Sequence, residues 1–130
     1  MAMDDTGSAQ ATRSVLLRGL WRDAIDGWGA PGALDQLPAA QRLLAAGADR
    51  DDLLRLVRAV AYEAVFATLD TLDEGGPGHD PDAVGGWVVV ATHTDGSPTG
   101  QVLPGLHEDL LAADPGGRDG TDLWQQGPAT

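Results

Sequence analysis

The stretch from Ala48 to Leu72 constrains this chain most, because apolar side chains recur along it with the period of a helix and no glycine or proline interrupts them. Asp49 stands at its head as an N-cap. Asp52, three residues on, brings a second carboxylate to the free amides of the first turn, an arrangement similar to a capping box with aspartate in place of glutamate. Leu53, Leu56, Val57, Val60, Ala61, Ala64, Val65, Thr68 and Leu72 form one stripe. Leu54, Phe66 and Leu69 add apolar surface on other sides. A helix apolar around so much of its circumference is expected at the centre of a fold.

Two shorter helices are predicted before it. Leu17, Trp21, Ala24 and Trp28, widened by Leu20 and Ile25, give an amphipathic helix over Arg13 to Trp28, with Ser8 or Thr12 as its cap. Arg18, Arg22 and Asp26 stand four apart along it and form an expected ladder of exposed pairs. Gly27, Gly29, Pro31 and Gly32 end it. Proline is comfortable only in a first helical turn, so a short turn is predicted over 33–37, then a helix from Pro38 that Gly47 closes in the left-handed conformation. Leu43 to Asp49 resembles the end of an ankyrin repeat. An array would need a fixed period of about 33 residues, and none is present, so the segment reads as a helix–glycine–helix junction.

Beyond residue 72 the pattern changes. Glycine, proline and acids over Asp73 to Ala83 predict an exposed loop. Gly86 to Thr94 is rich in valine and predicts a strand, Asp95-Gly96 a turn, and Gln101 to Leu103 the returning strand after a connection of four or five residues. Leu106 to Ala113 has room for one or two helical turns, closed by Asp114-Pro115-Gly116-Gly117, and Leu123 and Trp124 can dock the tail on the body. The expected fold is α+β: a small helical bundle of three main helices, then an antiparallel β-hairpin and a short C-terminal helix. With 130 residues the chain suits one domain around one core, with 1–11 and 116–130 as loosely docked tails.

Composition excludes several functions. There is no cysteine, hence no disulfide and no thiolate chemistry. Asp4 and Asp5 stand where a secretory leader carries positive charge, and no apolar run is long enough to cross a membrane, so a cytoplasmic location is expected. All eight basic residues are arginine, which fits the codon usage of a GC-rich, bacterial genome. The net charge is −12, and residues 61–130 hold twelve acids against the single Arg118. Such a field repels nucleic acid and favours a basic partner protein.

Few residues suggest chemistry. Glu63 lies between apolar neighbours beside Tyr62, where burial would perturb a carboxylate. His107, Glu108 and Asp109 follow the predicted hairpin and can act as bases or as helix-start acids. Glu63, His107 and Glu108 are the catalytic candidates. Tyr62, Glu63, Arg55, Arg58, His107, Glu108 and Asp109 are the binding candidates, with Arg55 and Arg58 better explained by internal pairs, Arg55 with Asp51. His93 shares strand parity with Trp87, Val89 and Ala91 and reaches Glu63 only if that face packs on the long helix. His79, Asp80 and Asp82 carry metal-type donors without the register of a calcium loop, and no metal or cofactor is expected. The expected role is an acidic protein-interaction module, inhibitor- or immunity-like, rather than an enzyme. The alternative is a small enzyme or ligand-binding domain whose pocket holds Glu63 and His107. Pairing of hairpins between copies would complete the sheet in a homo-oligomer.

Overall fold

The computed structural model describes residues 5–76 and 80–124. Three helices, α1 (Asp5–Leu20), α2 (Pro38–Ala45) and α3 (Arg50–Glu74), precede a two-stranded antiparallel hairpin of β1 (Val90–Thr92) and β2 (Pro98–Val102). Single 3-10 turns over Leu106–Asp109, Leu111–Ala113 and Thr121–Trp124 follow it. This is the α+β bundle with hairpin that the sequence predicts. Among the described residues no helix is long and apolar enough to cross a membrane.

The first helix begins earlier than the sequence signals imply. Residues 8–12, expected as cap and tail, are already inside α1. Arg13, Leu17, Trp21 and Ile25, all four apart, are its buried positions. Four residues turn an α-helix about 40° too far at each step, so this row drifts around the axis. The backbone answers by widening into a π-type turn over Trp21–Ile25, where the Asp26 N–H donates to the Trp21 carbonyl, and this keeps Trp21 and Ile25 both fully buried. The predicted Arg18–Arg22–Asp26 ladder does not form. Arg22 turns to Asp23 at 2.8 Å, Arg18 bonds the Ser14 carbonyl, and Asp26 is taken by Arg58 of α3.

The junction into α3 follows its sequence signals. A 3-10 turn over Leu34–Gln36 leads to Pro38 at the start of α2. The Gly47 and Ala48 N–H groups bond back to the Leu44 and Leu43 carbonyls, closing α2 in a Schellman motif around Gly47 at φ +96°. The Asp49 carboxylate then accepts the Asp52 N–H at 2.9 Å. Leu34, Ala40 and Leu53 make a small second core there.

The long helix keeps part of the expected stripe inside, with Leu53 buried and Val57, Ala61 and Val65 packed on the cores, but its buried face is rotated toward Tyr62. Tyr62 and Leu69 are buried, with Val65 and Phe66 packed against the core, while Leu56 and Val60 are 60% and 59% exposed. Two apolar stripes compete on this helix. The one carrying Tyr62 wins because Trp21, Leu106, Leu110 and Leu123 supply its partners.

The hairpin is shorter than predicted, and its returning strand starts three residues sooner, at Pro98 rather than Gln101. Residues 86–89 are not strand, though the Leu103 N–H still donates to the Val89 carbonyl. The register shifts between Val90↔Val102 and Thr92↔Pro98, where the Thr99 hydroxyl bonds the Ala91 carbonyl and the Gln101 N–H. Ala91 and Leu103 face inward and join the core. The chain leading to β1 folds back on the end of α3: the Trp87 N–H donates to the Gly75 carbonyl and its indole N–H to the Thr71 carbonyl. A Cβ on Gly86 would lie 2.2 Å from the Gly75 carbonyl oxygen, so this crossing requires glycine.

Candidate functional site: an aromatic groove with two carboxylates

The last described turn completes a groove on one side of α3. Tyr62, Glu63 and Phe66 of the helix, Leu111, Asp119, Thr121 and Trp124 line it, around a volume of about 470 Å³, in the range of small-ligand sites. Its walls are mainly aromatic. Trp124 meets Tyr62 edge-on at 5.1 Å, and Tyr62 packs on Phe66 at 6.2 Å and on Trp21 at 5.7 Å. Tyr62 is only 5% exposed, and its hydroxyl has no hydrogen-bond partner among the described residues. Burial, then the neighbouring Glu63 charge, pushes that phenol above its usual 10.0.

Asp114 shapes the far wall. Its buried carboxylate accepts the Gly116 N–H at 2.9 Å and the Gly120 N–H at 3.0 Å, curling the chain through Asp114-Pro115-Gly116-Gly117. Asp119 and Gly120 are both left-handed, at φ +50° and +69°, and Asp119 is the non-glycine residue with positive φ among those described. This fold of the backbone brings Asp119 to the groove. Neither the Asp119 nor the Glu63 carboxylate makes an ion pair or hydrogen bond among the described residues. A Cβ on Gly120 would sit 2.8 Å from Leu111 Cδ2 and 3.3 Å from Trp124 Cζ3. Gly120→Ala is therefore expected to cost about 3 kcal/mol, from left-handed strain and overpacking together. Urea unfolding measures it, and a cost below about 1 kcal/mol would show that the wall yields freely.

The other candidates lie elsewhere. His107 does not line the groove; Phe66, edge-on at 5.3 Å, stands beside it. Its ring Nδ1 lies 2.5 Å from Asp73 Oδ2, which also accepts the His107 backbone N–H, and Nε2 lies 3.5 Å from Asp70. Burial alone would raise the Asp73 carboxyl, but hydrogen bonds from the His107 backbone and ring and from the Leu106 N–H hold it below 3.8. The hydrogen bond to Asp73, then the charges of Asp70, Asp73 and Glu108, raise His107 above 6.5 against desolvation. The pair thus clamps the Leu106–Asp109 turn to the end of α3.

The clamp has a pH signature. A raised histidine stabilises fully below 6.5 and loses its contribution as pH rises through the folded value. A depressed carboxylate stabilises fully above 3.8 and loses its contribution as pH falls through its own. The difference in Tm between the native chain and His107→Gln is therefore expected to peak at about pH 4–6.5 and to shrink on either side. A pH-independent difference would show that the ring acts by packing on Phe66 alone.

Asp109 is spent on Arg13, which is 9% exposed and also bonds the Pro104 and Gly105 carbonyls. Arg58 pairs with Asp26 at 2.7 Å and Asp122 at 2.8 Å, the internal role expected of it, whereas Arg55 lies 4.0 Å from Asp52 rather than beside Asp51. Glu108 is exposed under Gly105. His93 borders a different, polar groove with Ser8, Thr12 and Thr99, on the α1 side of the hairpin, so it does not approach Glu63. His79 lies outside the described residues. Asp80 accepts the Asp82 N–H in a local turn, and among the described residues no group of three or more metal-type side chains is placed to hold an ion.

Sequence reasoning found Tyr62 and Glu63 but missed Asp119, Leu111 and Thr121 as their neighbours. The Asp119-Gly120 pair, a left-handed turn signal, was the trace they left. Comparison with protein-family models, curated proteins and solved structures gives no significant match.

Proposed function

We propose that this chain is an acidic interaction module that docks a basic partner protein, with the groove at the centre of the contact. One observation carries the reading: an apolar, aromatic-walled groove holds two carboxylates, Glu63 and Asp119, that no cation among the described residues neutralises. Three other carboxylates are already used internally, Asp109 by Arg13, Asp122 by Arg58 and Asp73 by His107. Aromatic anchors are usual at a binding centre, and solvent-accessible polar groups form its rim. The net charge of −12 adds long-range attraction for a basic surface. An inhibitor- or immunity-like role in the cytoplasm is the form of this activity that we favour. The enzyme reading has less support, because Glu63 lines the groove and His107 does not.

The test is affinity capture from the native host with the full chain, at low and high salt, beside the charge-reversed Glu63→Lys/Asp119→Lys variant. A basic protein held at low salt, released at high salt and lost by the variant supports the reading. A partner held equally by the variant, or an acidic one, overturns it.

A further inference from the structure

Resting on that reading, we infer that the groove is a socket for one arginine side chain of the basic partner. Three features of the site select the guanidinium. The walls formed by Tyr62, Phe66 and Trp124 are aromatic, and a planar, weakly hydrated guanidinium stacks on such surfaces, whereas an ammonium gives up more hydration on entering them. Tyr62 lines the groove at only 5% exposure, and its hydroxyl has no hydrogen-bond partner among the described residues, so it is available to a ligand donor. Glu63 and Asp119 add two carboxylates, and a guanidinium has five donors with which to reach several acceptors at once, where an ammonium has three. The cost of holding Asp119 in the left-handed conformation is also explained, because that backbone brings a second charge to the groove.

The socket is distinct from the arginine sites already filled. Arg13 and Arg58 are held by carboxylates and carbonyls from their own chain. In the groove the acceptors are present and the cation is not supplied by the described residues.

Titration calorimetry with three probe peptides tests this: acetyl-Gly-Arg-Gly-Arg-Gly-amide, the same peptide with lysine, and the same with citrulline, which keeps the shape and removes the charge. The arginine peptide is expected to bind about tenfold more tightly than either of the others. Tyr62→Phe, which keeps the packing, and Glu63→Gln, at an exposed position, are each expected to weaken it severalfold without changing Tm. Trp124 fluorescence should change on addition of the arginine peptide alone. Equal, salt-sensitive binding of the arginine and lysine peptides overturns the socket and leaves the basic-partner reading standing. Binding of the arginine peptide unchanged in both variants places the contact elsewhere and also overturns the socket. Absence of binding by either charged peptide overturns both.

Discussion

Trp21→Ala is expected to destabilise the protein by about 4 kcal/mol, near the top of the range for a single core truncation. The side chain is fully buried. Its indole N–H donates to the Leu110 carbonyl at 2.7 Å, and its ring packs on Tyr62. Truncation opens a cavity under the groove and leaves the Leu110 carbonyl without its partner, two penalties that add. Denaturant unfolding measures the loss. Trp28→Ala, at a half-buried site, serves as the control and should cost less. Near-equal costs for the two would mean that the centre of the core lies elsewhere.

Arg58→Met should follow at about 3 kcal/mol, because breaking a largely buried ion pair strands its partner charges. The guanidinium joins α3 to Asp26 of the first helical run and to Asp122 of the last described turn. Asp122 is mostly covered, and its Oδ1 is already buried without a partner. Burial alone would raise this carboxyl; Arg58, with help from Arg118, holds it below 3.8. The double variant Arg58→Met/Asp122→Leu should therefore recover part of the loss, since two apolar groups leave no charge behind. If the double variant is as unstable as the sum of the two singles, the coupling is absent and the bridge is incidental.

Local signals were legible in the sequence wherever a single segment decides its own conformation. The Asp49 cap, the Gly47 closure and the Pro38 start are chemistry between near neighbours, and each formed as read. What depends on distant segments was not legible. The long helix has two apolar stripes, and only the positions of Trp21, Leu110 and Leu123 decide that Tyr62 faces in and Val60 faces out. The pairing of Arg13 with Asp109 spans 96 positions, and no spacing rule reaches that far. His107 was visible as a candidate, but its clamp needed Asp73, which the sequence placed in a loop and the structure places in the last turn of α3. The groove was half legible for the same reason. Tyr62 and Glu63 are adjacent in the chain, while Asp119 joins them only after the backbone has curled around Asp114.

The cover over Trp21 has a consequence for synthesis. Leu106, Leu110 and Leu123, which shield it, are translated long after it. A nascent chain leaving the ribosome can close the Leu34–Leu53 cluster early, since its parts are near neighbours. The indole lacks that cover until residues 106–123 have emerged. The final ordering step thus waits for that segment, and a chain truncated before residue 106 would carry an uncovered tryptophan and invite aggregation.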